Sequence, residues 1–378
     1  MSELRVNAIR HTGASNDAIT LASDGTATAK ITNPRSNRNL IINGAMQFAQ
    51  RGTSGTANGF TSVDRFQVVL GGAEELATSS QHALTSSDSG PWEEGFRNSY
   101  HVQNGNQTGG AGAGDHAYVQ YVIEAQDLAN SGWDYTSASS YITLSFWVKC
   151  STAGLQYAYF YCPDGTAQGY SFSLGNLSAN TWTKVTAKIP GNSNLTFNND
   201  NGGGMYIYWG PYWGTTYTDS GNTLNTWAAY SSTSRTPDFP STWWITNDAT
   251  FELTGVQLEV SDHATDFEHR SYGDELARCE RYFQKVDVRK TTGSSGYRYM
   301  YEETFVLKTD MRTSPSLHTS SGYGSNSGTF QTKCDGDYTT MTDGCTLVDS
   351  STAAIAIRGS STNTYHYIRG RVHLKAEL

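Results

Sequence analysis

The chain has 378 residues, of which 16% are charged and 12% aromatic, and its formal net charge is −9. That length exceeds one small module and accommodates two or three packing units of roughly 100–200 residues each. Lys and Arg never form a run, which excludes the basic stripe that nucleic-acid binding needs, and no stretch of about 18 apolar residues offers a membrane-inserting helix.

Residues 1–38 hold two short predicted strands, at 4–9 and 18–22, and then a Thr/Ala/Asn stretch ending at Pro34. Apolar residues are too few for an independent core. This extended segment is therefore expected to order against other subunits or to attach the chain to them. The opening MSELRVNAIRHTG lacks the apolar region of a signal peptide. A role outside a cell would then require another route of release, which lysis of an infected host supplies.

Residues 39–270 read as an antiparallel β-sandwich. At 141–149, Ile142, Leu144, Phe146 and Val148 alternate with Thr143, Ser145, Trp147 and Lys149, the period of a half-buried strand. The same period returns at 117–123, 155–162, 182–189 and 251–260, separated by turn sequences such as NGNQTGGAGAGD and PGNSN. Within 251–260, Phe251 and Leu253 are out of phase with Val256, Leu258 and Val260, so a bulge or bend is predicted at Gly255. Glu252, Gln257 and Glu259 are then expected on the solvent side.

Residues 271–378 open with a predicted helix over ELARCERYFQK, capped by Ser271 and Asp274, with Leu276, Cys279 and Phe283 on one face. It is expected to cross a domain junction. Strands predicted at 303–309, 353–357 and 365–376 then form a smaller C-terminal β domain, joined by turns such as TTGSSG and SSGYGSNSG. In the last strand Ile368, Gly370, Val372, Leu374 and Ala376 face one way. Arg369, Arg371, His373 and Lys375 face the other, expected as a solvated outer face.

The fold class is thus all-β, with little sign of chemistry on it. Nucleophile-elbow, zinc-protease, Walker and dinucleotide motifs are absent, so no enzyme is predicted. The neighbouring carboxylates Glu74/Glu75, Glu93/Glu94 and Glu302/Glu303 would point to opposite faces on strands rather than flank a glycosidic bond. Among nine histidines, His263, His269, His366 and His373 lack metal-ligand spacing along one element, and no metal site or cofactor is expected. Asp and Asn in the loops are the one hint of a structural Ca²⁺, which nothing else indicates. The five cysteines lack a zinc-type or paired spacing and read as mostly free thiols, although Cys150 with Cys162 and Cys334 with Cys345 are conceivable pairs.

The strongest local signal is aromatic. MYIYWGPYWG places Tyr206, Tyr208, Trp209, Tyr212 and Trp213 within ten residues, and Trp227, Trp243 and Trp244 follow. Flat aromatic faces stack on sugar rings while nearby polar side chains satisfy the hydroxyls, so these eight residues are candidates for a glycan site. The same residues would serve equally as strand-face core or as a subunit contact. At least one member of the Trp243/Trp244 pair is expected to point inward if they lie on a strand.

Several blocks together resemble tail-fibre and receptor-binding appendage proteins of marine phages, including those of cyanobacteria. They are NLIINGAMQFAQRG at 39–52, VDRF at 63–66, LTGVQLEV at 253–260, FEHRSYGDELARCERYFQ at 267–284 and the terminal Ala-Glu-Leu. Asp266 departs from a frequent proline and Phe66 from a frequent tryptophan. The resemblance implies a middle domain like the jelly rolls of carbohydrate-binding modules, a distal β domain and a homotrimer. It also implies an N-terminal segment bound to other virion proteins, and a location in the virion after assembly in the host cytoplasm. The expected function is attachment to a host cell-surface glycan. The alternatives are a structural tail adaptor, nozzle-associated or capsid-decorating protein, and a polysaccharide depolymerase.

Overall fold

The computed structural model describes residues 6–10, 12–15, 17–25, 27–29, 37–292, 300–317, 331–334, 337–340, 346–360 and 366–378. At the N-terminus, β1 (Ala8–Ile9), β2 (Ile19–Leu21) and β3 (Ala27–Ala29) form a small antiparallel sheet. The first two strands are shorter than predicted, and Leu4, like the 30–36 stretch, lies outside the described residues. Val6, Ile9 and Leu21 are exposed, because among the described residues no second layer covers this small sheet.

The middle of the chain is a two-sheet sandwich. Its strands are β4 (Ser54–Thr56), β5 (Gln67–Gly71), β6 (Thr78–Ala83), β7 (Asn98–Gln103), β8 (His116–Glu124) and β9 (Tyr141–Cys150), then β10 (Gly154–Cys162), β11 (Gln168–Leu177), β12 (Thr183–Pro190), β13 (Gly203–Trp213), β14 (Trp227–Ala229) and β15 (Thr250–Val260). They pair antiparallel in two sheets, ordered β12-β9-β15-β7-β6-β4 and β14-β11-β10-β13-β8-β5. The chain crosses between sheets repeatedly, in the manner of a jelly roll. Short helices α1 (Ala125–Ala129) and α2 (Thr242–Ile245) close its ends.

Period-two alternation fills the space between the sheets. Ile142, Leu144, Phe146 and Val148 of β9 are all fully buried there, facing Val119, Tyr121, Phe160, Ile207 and Trp209 of the other sheet. The predicted irregularity in β15 is present: its register against β9 shifts between Thr254 and Gln257, and Gly255 has φ +64°. A side chain there would also strike the Phe96 ring. Glu252, Gln257 and Glu259, expected in solvent, are buried on the outer face. The chain at 265–268 lies over that face: Thr265 N donates to Glu259 Oε1 (2.9 Å) and Glu268 N to Gln257 Oε1 (2.8 Å).

Cys150 and Cys162 sit on opposite sheets, and both are free and buried, as is Cys279. Cys345 lies outside the described residues, as do the side chain of Cys334 and those of Glu302 and Glu303.

The junction helix α3 (Tyr272–Glu280) starts where predicted, with Ser271 Oγ accepting from Asp274 N (3.3 Å). It stops early, so Phe283 opens β16 (Phe283–Thr292) instead of extending the helical face. Cys279 and Leu276 do pack inward, against Ile42, Phe48 and Tyr282. The C-terminal strands are β17 (Met300–Val306), β18 (Ser316–Leu317), β19 (Gln331–Cys334), β20 (Asp337–Thr340), β21 (Thr346–Ser350), β22 (Ala354–Ser360) and β23 (His366–Lys375). They form a β16-β23-β19-β20 sheet, which β18 also joins through β23, and a β17-β22-β21 sheet. His373, placed with the solvated basic face by alternation, is buried with its ring 5.8 Å from that of Phe283. The side chains of Arg369 and Arg371 and the turn residues 293–299 and 318–330 lie outside the described residues.

The blocks 39–52, 63–66, 253–260, 267–284 and 376–378 converge at this junction. Asn39 Oδ1 accepts from both Ile41 N and Leu258 N, and Asn43 Nδ2 donates to the carbonyls of Phe48 and Asp64. Arg65, fully buried, lies 3.4 Å from the Tyr282 ring centroid and donates to Glu377 Oε2 (2.7 Å). Arg51 reaches the other Glu377 oxygen at 2.7 Å.

Asp64 is buried in this cluster, and burial pushes its carboxyl up to about 6 despite Arg51 beside it. Its folded pKa thus exceeds its unfolded one. The resulting stabilisation is present below about pH 4, where the unfolded chain is also protonated, and is lost as pH rises through about 6. We expect wild type to lose up to about 3 kcal/mol against Asp64→Asn between pH 4 and 7. Urea unfolding of both proteins across that range tests this; parallel pH profiles would refute it.

Candidate binding face

The eight aromatic candidates divide by sheet geometry. Trp209 is 0% exposed on the inner face of β13 against Phe66 and Phe146. Tyr212 and Trp227 are also core residues, and Trp227 Nε1 donates to Pro190 O at 2.7 Å. Trp243 and Trp244 are both buried, because they belong to α2 rather than a strand and the alternation rule does not apply to them. These five cannot stack on a ligand in the folded chain, which corrects their assignment to a glycan site. Trp209→Ala is accordingly expected to cost about 3–5 kcal/mol of stability by leaving a core cavity, read as a lowered urea midpoint.

Trp213, at 2% exposure, cannot stack on a ligand either, which corrects its assignment too, but it is buried on the other side of the sheet. A register irregularity between Trp209 and Tyr212, at Gly210-Pro211, shifts the phase of β13, so Trp213 turns to the outer side of the sheet. There it is roofed by Phe239 and by Arg235, whose guanidinium lies 5.3 Å from the Trp213 ring centroid. Arg235 also lies 5.0 Å from the Tyr217 ring and donates to the Tyr230 hydroxyl (3.2 Å). The segment between β13 and β14 and the one after β14 thus build a wall along the sheet.

Beside that wall, Tyr206 and Tyr208 occupy the outer face and are half-buried. Across the sheet, Tyr208 pairs with Tyr159 on one side and Gln120 on the other, and Gln120 pairs with Gln67. Tyr206 pairs with Tyr161. The Tyr159 and Tyr208 rings are 6.1 Å apart and 14° from parallel, and Tyr206 follows at 6.3 Å and 25°. Tyr118 meets Tyr208 edge-on at 5.0 Å, and Tyr161 meets Tyr230 at 4.5 Å. Close approach requires glycine at two points: a Cβ on Gly169 would lie 2.0 Å from the Tyr159 hydroxyl, and one on Gly203 2.6 Å from that of Tyr206.

Tyr118, Tyr161, Tyr206, Tyr208 and Tyr230 therefore form a half-buried platform over Tyr159, edged by Gln67, Gln120 and Arg235. Burial pushes the Tyr118, Tyr159, Tyr161, Tyr206 and Tyr208 hydroxyls up, so they remain neutral donors and acceptors at physiological pH. Within the wall, the buried Trp213 Nε1 and Arg235 Nε meet no hydrogen-bond partner among the described residues. Tyr118 and Tyr161 escaped the sequence reading because they are far from the aromatic run and join it through strand pairing, and Tyr230 because it reaches the platform from the segment after β14 by packing on Tyr161.

The adjacent carboxylates take other roles. Glu74 and Glu75 accept from the backbone of Gly109 and Asn106, in turns rather than strands. Glu94 accepts from Trp147 Nε1 (3.0 Å) and pairs with Lys184, while Glu93 caps Gly90 N. The described residues that could hold a metal, His82, His101 and Glu252, lie on the opposite sheet.

The protein is an all-β chain built around an antiparallel two-sheet sandwich with an aromatic outer face. No protein-family model and no curated protein sequence matches it. Among solved structures it is similar to a Bacteroides thetaiotaomicron protein to which sugar binding has been ascribed, at TM-score 0.32 and 11% identity over 59% of this chain and 100% of the other. The CBM22-1 xylan-binding domain of Paenibacillus barcinonensis Xyn10C is similar at TM-score 0.27 and 10% identity, over 61% and 100%. The CBM22-1-CBM22-2 tandem of the same enzyme is similar at TM-score 0.27 and 7% identity, over 91% and 92%. Likeness this slight assigns neither a ligand nor a binding face.

Proposed function

We propose that this chain is a phage tail-fibre or receptor-binding virion protein that holds a neutral cell-surface glycan on the tyrosine platform of its sandwich. The observation carrying this reading is the platform itself: Tyr118, Tyr161, Tyr206, Tyr208 and Tyr230 stay half-buried on the solvent side of a sheet whose other side already supplies the core. Tyrosine rings give rigid apolar contact at little entropic cost, and their hydroxyls, with Gln67 and Gln120, can bond sugar hydroxyls. The net charge of −9 favours a neutral ligand over a polyanion. The exposed Val6, Ile9 and Leu21 of the N-terminal sheet fit a segment completed by other subunits. A homotrimer carrying three platforms would multiply weak binding.

The test is the native mass of the full chain by light scattering, with binding of the same preparation to host cells and to an array of neutral oligosaccharides. A trimer that binds saturably and releases no reducing ends is expected. Absence of binding to cells and sugars would overturn the reading, and release of reducing ends would make the protein a depolymerase.

A further inference from the structure

We propose that the outer face of the other sheet holds a divalent transition-metal ion, of zinc-like ligand preference, on His82, His101 and Glu252. One ligand atom from each of these residues lies within 4.8 Å of the others. His82 Nδ1 and Glu252 Oε2 are 3.3 Å apart. This matches the edge of a tetrahedron, about 3.3 Å, when metal–ligand bonds are about 2.0–2.1 Å. The ligands come from the adjacent strands β6, β7 and β15, where Glu252 is directly opposite His101 and His82 is directly opposite Ser99. The His82 and His101 rings meet edge-on with centroids 5.2 Å apart. Two imidazoles and one carboxylate suit Zn²⁺, Co²⁺ or Ni²⁺ better than Ca²⁺ or Mg²⁺, which prefer all-oxygen shells.

The surroundings aim the carboxylate. Ser99 Oγ donates to Glu252 Oε2 (2.7 Å), and Lys149 Nζ bonds the other oxygen, Oε1, at 2.9 Å. Lys149 is held in turn by Asp88 (3.2 Å) and lies over the Trp182 ring at 4.7 Å. Its ammonium therefore binds Oε1 and leaves Oε2 to Ser99 and His82, the outer-shell support that metal carboxylates usually have. The His82 side chain is 51% exposed, so the ion can enter from solvent. Three protein ligands leave a fourth position for water or a donor from another molecule. Positions 82, 101 and 252 share no local spacing, which is why no motif announces the site.

The experiment titrates ZnCl₂ into the chelator-treated full chain by calorimetry and records the visible spectrum with CoCl₂. One ion per chain is expected, with a Co²⁺ ligand-field band and no thiolate-to-cobalt absorption. His82→Ala and His101→Asn should each weaken Zn²⁺ binding by roughly 10- to 100-fold or more, with unchanged circular dichroism; the exposure of His82 makes its variant the safer one for folding. Absence of binding by wild type, equal binding by the folded His82→Ala variant, or a thiolate band placing the ion on cysteine would each overturn the assignment.

Discussion

Replacing Tyr206 and Tyr208 together with Ala is expected to lower affinity for the glycan by roughly 30-fold or more while the chain stays folded. Truncating an aromatic anchor at the centre of a binding surface commonly costs about 2 kcal/mol or more, and about 1.4 kcal/mol is already tenfold in affinity. The rings touch, so their losses need not add. Both are on the outer face of β13, and neither belongs to the core between the sheets. The fold should therefore survive, unlike that of Trp209→Ala. Replacing each with Phe instead separates stacking from hydroxyl bonding: the Phe variants should keep most of the affinity if ring contact dominates. Adsorption to host cells and oligosaccharide binding are the measurements. A folded double variant that binds as wild type does would remove the platform from the site, and one that loses only its oligomeric state would mark it as a subunit contact.

The second large effect is expected at Arg65. Its guanidinium is fully buried between the rings of Tyr121 and Tyr282, with Glu377 and the Val122 carbonyl as its acceptors. Arg65→Met leaves Glu377 with Arg51 alone in a desolvated site, and breaking a buried pair from one side typically costs about 3–5 kcal/mol. The C-terminal residues should detach from the sandwich, and the tightly packed Cys279 should become reactive. Mass-mapped thiol labelling follows this directly: Cys279 is expected to label rapidly in Arg65→Met and slowly in wild type, with the sandwich thiols Cys150 and Cys162 protected in both. Equal protection of Cys279 in the two proteins would show that the clamp does not hold the junction.

Polar side chains hold the same junction. Asn39, Asn43, Arg65, Glu268, Arg270 and Glu275 serve backbone groups and one another. Such groups tolerate little substitution, because each would leave a buried partner unsatisfied. The blocks at 39–52, 63–66, 253–260 and 267–284 thus fasten the sandwich to the C-terminal part of the chain, and the platform lies outside them, on β8, β10, β13 and the segments flanking β14.

Alternation in the chain determined the all-β class, the inward faces of β8 and β9, the irregularity at Gly255 and the start of α3 at Ser271, because each depends on spacing within about ten residues. It also indicated that the aromatic run around Tyr206 was unusual. Tertiary structure alone decided which aromatics are accessible: the irregularity at Gly210-Pro211 turns Trp213 to the outer side of its sheet, where Phe239 and Arg235 cover it, and α2 buries Trp243 and Trp244 together. It also decided that Tyr118 and Tyr161 join Tyr206 and Tyr208, and that His82 and His101 approach Glu252. These groupings depend on which strands pair and in what register, and that is settled by the packing of two whole sheets rather than by any local sequence.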